Sequence, residues 1–294
     1  MTNWAKHPDN PVVGPGYCRQ AIFDCCVMPL KTGLRMWLSW RDMQSIAVSD
    51  SADGAQWTAP RIVLEPDPAH TWERDEINRP HVLEVDGRWY MWYTGQNRER
   101  QSGAIGLATS ADGLHWERVG AEPVLEPAGG WEKSSLMCPH VLYEQGRFRM
   151  WYSGGEKYEP DAIGYAESDD GVHWQREPTN PVSRPAGGWE SDRATAACIV
   201  PHDGAYLAFY VGFATGFEES RIGIARSADG VHDWERYAGN PIIGPGPAGS
   251  WDDCNVYKPY VVRFRDQWYL WYNASRFSDR REQIGLATTP DLTW

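Results

Sequence analysis

Three observations predict an all-β protein folded as a five-bladed β-propeller of four-stranded antiparallel blades. One unit of about sixty residues recurs five times along the 294-residue chain. Each copy reads as four short strands. The N-terminal segment matches a strand that the last copy lacks.

The unit is clearest from Trp72 to Gly95, WERDEINRPHVLEVDGRWYMWYTG. It restarts at Trp131, Trp189 and Trp251, and a weaker copy begins at Tyr17. HVLEV and RWYMWYTG alternate or run apolar, are rich in Val, Tyr and Trp, and are joined by a tight turn at Asp86-Gly87. AIGLATSADGLHWERV adds two more strands around Asp112-Gly113. That turn recurs at Ser49–Trp57, Ser168–Trp174 and Ser227–Trp234, with a degraded TTPDLTW at the end. In it Asp bonds the turn backbone, Gly takes the positive φ and Trp covers the hairpin. A lone four-stranded sheet cannot bury both faces, whereas a ring of them can. WAKHPDNPV (Trp4–Val12) aligns without gaps to WQREPTNPV (Trp174–Val182), so residues 4–12 are expected to complete the last blade and close the ring. Residues 1–294 then form one domain, with blade starts near 17, 72, 131, 189 and 251.

A net charge of −12 argues against nucleic acid or an anionic membrane as partner. MTNWAKHPDN has no apolar run of signal-peptide type, and no stretch suits a bilayer span. The six cysteines form no CxxC pair, so a soluble, cytoplasmic protein without disulfides or cofactor is expected, its oligomeric state left open. Most of the 17 tryptophans are periodic and therefore structural; Trp37, Trp92, Trp151 and Trp271 recur at one blade position and belong to the core.

Features shared by all copies serve the blade, so chemistry is sought where the copies differ. The functional face holds the starts of the opening strands and the loops after WYTG: 97–103, 156–161, 213–220 and 275–282. Seven residues after the opening aromatic the copies read Asp24, Arg79, Cys138, Ala196 and Lys258. Two further on they read Cys26, His81, His140, Cys198 and Tyr260. Near the strand starts lie Gln20, Asp75, Ser134, Asp192 and Cys254, with Ala21, Glu76, Ser135, Arg193 and Asn255 beside them. Blades need no charge in the channel, so Asp, Arg, Lys and two His in adjacent rings mark a candidate site.

The unit WE…P-V…YMWYTG…IGLATS-DG-HW resembles the five-bladed propellers of the arabinanase, levansucrase and invertase type of glycoside hydrolases, and is similar to their β-mannoside phosphorylase relatives. The resemblance covers all five copies through scaffold motifs, so it specifies fold more than activity. It implies an acidic residue just before the Pro-like position in early blades, a place Asp24 fills as base or nucleophile. The second and third such positions hold Arg79 and Cys138 instead of acids, and Asn78-Arg79-Pro80-His81 only loosely echoes the phosphorylases' Asp-Pro-Arg.

The leading expectation is a glycosidase-like enzyme acting on a small, anionic carbohydrate. Glycoside cleavage needs a carboxyl pair. Asp24 is one candidate; Asp75, Glu76 or His140 is the candidate acid, with His81 a second imidazole in reach. Arg79 and Lys258, with His81 and His140, form a positive pocket for a carboxylate or phosphate; charge balance against Asp24, Asp75 and Asp192 is the plainer reading. Tyr260, Cys138 and Trp40 join the candidate substrate contacts. Trp40 stands where other copies have Gly95, Gly154, Gly212 and Ala274, which makes it the best single ligand platform, with Phe213, Phe217, Tyr158 and Phe277 as further aromatics. Buried cysteines usually fill space; a thiolate nucleophile at Cys138 and a zinc site from Cys26, Cys198, His81 and His140 are sharper alternatives, and no metal is predicted. Two other functional classes stay open. One is a propeller enzyme repurposed for rearrangement, elimination or cyclisation; the other is a non-catalytic sugar-binding propeller.

Overall fold

The computed structural model describes residues 3–216 and 219–294. Phe217, one of the candidate aromatics, lies outside them. The described chain is all β; its only helical pieces are 3-10 turns at Arg41–Met43 and Gly188–Glu190. No helix among the described residues is long and apolar enough to cross a membrane.

β1 (Ala5–Lys6) precedes a series of antiparallel meanders. The first is β2 (Ile22–Leu30), β3 (Gly33–Trp40), β4 (Ser45–Ser51) and β5 (Arg61–Leu64). The second is β6 (Glu76–Val85), β7 (Arg88–Asn97), β8 (Ser102–Ser110) and β9 (Glu117–Arg118). The third is β10 (Ser135–Glu144), β11 (Arg147–Gly155), β12 (Ala162–Ser168) and β13 (Gln175–Arg176). The fourth is β14 (Arg193–His202), β15 (Ala205–Phe213), β16 (Ser220–Ser227) and β17 (Glu235–Arg236). The chain then runs through β18 (Asn255–Phe264), β19 (Gln267–Ser275) and β20 (Glu282–Thr289), and the outer partner of β20 is β1, through Ala5↔Thr288 and Lys6↔Ala287. A single parallel bridge, Ser135 to Gly103, ties the second and third meanders into one sheet.

Repeated residues make repeated contacts. The buried indoles of Trp37, Trp92 and Trp151 donate to the carbonyls of Gly113, Gly171 and Gly230, each in the D-G turn of the following meander. Trp271 in β19 donates to Gly54 at 3.0 Å, reaching back to the first meander. In the turn itself the Asp112 carboxylate accepts the N–H groups of Leu114 and His115, and Ser110 Oγ accepts that of Gly113. Gly113 has φ +72, and a Cβ there would sit 3.1 Å from the Trp89 ring, so both conformation and space require glycine.

The acid after each opening Trp is a buried strut. Glu73 takes Arg118 Nε at 2.6 Å and the Tyr93 hydroxyl at 2.8 Å. Glu132 takes Arg176 Nε at 2.5 Å and the Tyr152 hydroxyl at 2.8 Å. Glu190 faces Arg236 at 3.4 Å. Asp252 takes Lys6 Nζ at 2.6 Å, so in this sheet the cation comes from β1. Lys6 occupies the place that the alignment with Arg176 assigns it.

Candidate functional site

Every opening strand carries a β-bulge at the same place. The register slips between Phe23 and Cys26, Asn78 and His81, Met137 and His140, Thr195 and Cys198, and Tyr257 and Tyr260. The first bulged residue has positive φ each time: Asp24 47°, Arg79 54°, Cys138 54°, Ala196 56°, Lys258 47°. A bulge re-aims a side chain and leaves its N–H outside the ladder. In consequence all five of these residues line one cavity of about 310 Å³, with Phe23, Arg41, Glu159, Arg193, Asn255, Tyr257 and Glu282 among the other walls.

Asp24 is buried, with Oδ2 3.1 Å from Arg79 Nε. Its other oxygen accepts the side-chain amide of Asn273, and its N–H donates to Asn273 Oδ1 at 2.8 Å. Glu282, at the start of β20, brings a second carboxyl to the cavity. Burial pushes that carboxyl above the usual range and the Asp24 charge adds to the shift, while Arg41, 3.0 Å away, and Tyr257 oppose it. The Tyr257 hydroxyl is buried beside Glu282 and, among the described residues, has no other hydrogen-bond partner. Lys258 is buried and, among the described residues, has no ion pair or side-chain hydrogen bond. Arg41, Arg79, Arg193 and Lys258 face Asp24, Glu159 and Glu282, so the cavity is cationic by one charge in an acidic protein.

The second ring forms a separate layer and does not line the cavity. The His81 and His140 rings pack against each other with centroids 4.4 Å apart and planes inclined at 58°, and Tyr260 lies about 6 Å from each. Each imidazole reaches the next strand set through Nε2, His81 to Val141 O at 2.7 Å and His140 to Ile199 O at 3.0 Å. Cys26 Sγ donates to Tyr260 Oη at 3.1 Å. Burial lowers the His81 pKa to about 3, with Lys258 contributing; burial, His81 and Lys258 hold His140 well below its ordinary value. Among the described residues no group of three His, Cys, Asp or Glu side chains is arranged for a metal ion.

Several expected site residues lie outside the lining of this cavity. His140 is neutral and turned to a carbonyl under the cavity, which leaves it no proton to give there; His81 and Tyr260 lie in the same layer and touch no cavity space. Asp75 is half-buried outside the cavity lining, its Oδ2 accepting the Arg98 N–H at 2.7 Å. Glu76 is buried outside the cavity wall, held by Arg98 at 2.7 Å and Asn78 at 2.9 Å. Trp40 packs against the hydrophobic core and does not face the cavity. Cys138 does line it, but burial raises its thiol, against the opposing charges of Arg79 and Lys258, so a resting thiolate is disfavoured. Of the aromatic candidates Phe213 is on the wall, with Arg193 stacked 4.7 Å above it, and Phe277 is exposed. Glu282, Tyr257, Arg41 and Asn273 were not singled out by sequence. The matching third-strand starts in the other copies are Gln44, Gly103, Asp161 and Ser220, so an acid at this place is shared with the third copy and gave no signal of its own.

No family model matches the sequence. Uncharacterized protein Rv1502 of Mycobacterium tuberculosis (strain ATCC 25618 / H37Rv) is 26% identical over 244 residues, 74% of this chain and 76% of that protein. The 1,2-beta-oligomannan phosphorylase of Thermoanaerobacter sp. (strain X514) is 31% identical over 169 residues, 52% of this chain and 55% of the phosphorylase. The crystal structure of a thermostable family-43 glycoside hydrolase superposes with a TM-score of 0.75 at 19% identity, covering 94% of this chain and 91% of the hydrolase. The resemblance carried by the repeats is thus a likeness of architecture: the chain has the propeller fold of the glycoside hydrolases.

Proposed function

We propose that the chain is one domain of five blades closed through β1, and that it is a glycosidase-like enzyme acting on a small, anionic carbohydrate. The Trp271–Gly54 and Lys6–Asp252 contacts support closure, since each joins the last sheet to an N-terminal part of the chain. The single observation carrying the activity is that Asp24 and Glu282 share one cavity. Asp24, held by Arg79 and Asn273, is the base or nucleophile. Glu282, its carboxyl raised by burial, stays protonated further up the pH scale and gives its proton to the leaving oxygen. It takes the role that Asp75, Glu76 and His140 are not placed to fill. Lys258 and Arg79 hold the substrate's anionic group, because a buried ammonium with no ion pair among the described residues favours an anion brought by a ligand. The name of the oligomannan phosphorylase supports a carbohydrate substrate, and inorganic phosphate as acceptor is a variant of the same chemistry.

The test is turnover by wild type and Asp24→Asn of a panel of neutral and uronate glycosides, with and without phosphate. Uronide cleavage lost in the variant is expected, and phosphate dependence would assign phosphorolysis. No turnover of any glycoside by wild type would overturn the proposal. Saturable sugar binding would then point to a binding propeller, and its absence to the repurposed enzyme.

A further inference from the structure

Bulging puts five backbone N–H groups outside the strand ladder, and the second strand of the preceding sheet caps four of them through a side chain. Ser39 Oγ accepts the Arg79 N–H at 2.8 Å, Thr94 Oγ1 the Cys138 N–H at 3.1 Å and Ser153 Oγ the Ala196 N–H at 2.9 Å. Val211, which pairs with Thr195 at the equivalent place, offers no polar atom, so the fold accommodates a copy without this cap. The last cap, on Asp24, is Asn273, which pairs with Tyr257 just before that strand's bulge. A hydroxyl of Ser or Thr would satisfy the N–H equally well. The amide does something more. With Oδ1 committed to the Asp24 N–H, Nδ2 can only face the other way, and it donates to the Asp24 carboxylate. Asn273 is completely buried, so neither amide group has water as an alternative.

We infer that Asn273 is a positioning residue for Asp24: it clamps backbone and carboxylate of the same residue, and with Arg79 on the second oxygen it fixes the direction in which the free lone pairs face the cavity. This rests on the reading of Asp24 as base or nucleophile. The substitution is scaffold chemistry turned to a second use, since one atom of the amide reproduces the cap of the other copies and the remaining atom acts on the site.

The other copies supply the control. Asn273→Ser and Asn273→Thr rebuild the caps of Ser39, Ser153 and Thr94 and delete only the donor to the carboxylate. Both are expected to keep the wild-type melting temperature to within a few degrees. Both should lower kcat on the best glycoside by about 10- to 100-fold, the cost of losing alignment at a reacting group, with KM within about twofold. Crystal structures of the two variants should show the Asp24 carboxylate rotated away from its wild-type position. An unmoved Asp24, or kcat within twofold of wild type where Asp24→Asn is inactive, would overturn the inference. If no glycoside is turned over at all, the crystallographic comparison still decides whether Asn273 holds Asp24, so failure of the activity and failure of the clamp are separable.

Discussion

Replacing Lys6 by Met tests what holds the two ends of the chain together. Lys6 Nζ lies 2.6 Å from Asp252 Oδ2 and donates to Gly244 O at 2.8 Å. The Asp252 side chain is 4% exposed and Lys6 33%. In Lys6→Met, Asp252 keeps Ser250 at 2.8 Å and a long contact to Tyr272 at 3.5 Å, which leaves a buried carboxylate short of a counter-charge. Breaking a fully buried pair costs about 3–5 kcal/mol and an exposed one at most about 1 kcal/mol. Lys6 is partly in water, so a loss of about 2–3 kcal/mol is expected. For a domain of this size that lowers the melting temperature by roughly 4–12 °C. Arg176→Met breaks the matching pair with Glu132, at 2.5 Å and similar burial, and should cost about as much. The two variants part in hydrogen exchange. His7 N–H donates to Leu286 O and Val12 N–H to Ile284 O, so these amides should lose protection in Lys6→Met and keep it in Arg176→Met. Adding Asp252→Asn to Lys6→Met should recover part of the loss by removing the stranded charge. A melting temperature within about 2 °C of wild type for Lys6→Met, or unchanged exchange at His7 and Val12, would refute the strut account.

Two further outcomes follow from the layer beneath the cavity and from its thiol. His81 is held neutral down to about pH 3 and His140 well below its ordinary value, so below the unfolded value of 6.5 the unfolded chain takes up protons that the folded chain refuses. Their stabilisation is therefore full at neutral pH and is lost as pH falls from about 6.5, by about 1.4 kcal/mol per pH unit for each histidine; urea midpoints at about pH 7 and about pH 5 should diverge in wild type and draw closer in a His81→Asn, His140→Asn double variant. Cys138, its thiol raised by burial, should be alkylated by iodoacetamide at about pH 8 more than tenfold slower in the folded protein than in the urea-unfolded chain; equal rates would contradict the burial described.

What the sequence disclosed and what it hid have distinct causes. Strands, turns and Trp contacts repeat because each copy buries the same faces, so comparing the copies exposes them. Aligning the copies also brought together Asp24, Arg79, Cys138, Ala196 and Lys258, although the bulge that turns them into the cavity carries no one-residue signature. The same bulge explains the misplaced second ring. His81, His140 and Tyr260 are two residues further along, which in a regular strand means the same face; the extra residue drops them into a layer of their own. Glu282 was hidden because the loop before it varies in length between copies, so alignment from the opening aromatic loses register there. Trp40 misled for the opposite reason. Its large ring replaces small residues, but the space it fills is core.

The central claim is that Asp24 and Glu282 divide base and acid work in one cavity, and leaving-group dependence tests it most directly. The quantity is kcat/KM of wild type and Glu282→Gln toward uronides with an alkyl and with a nitrophenyl leaving group. A leaving oxygen that departs unaided has no need of an acid, so the variant should lose about 10²- to 10⁴-fold on the alkyl uronide and far less on the nitrophenyl one. Equal losses on both, or no loss on either, would contradict the assignment of Glu282 as the acid.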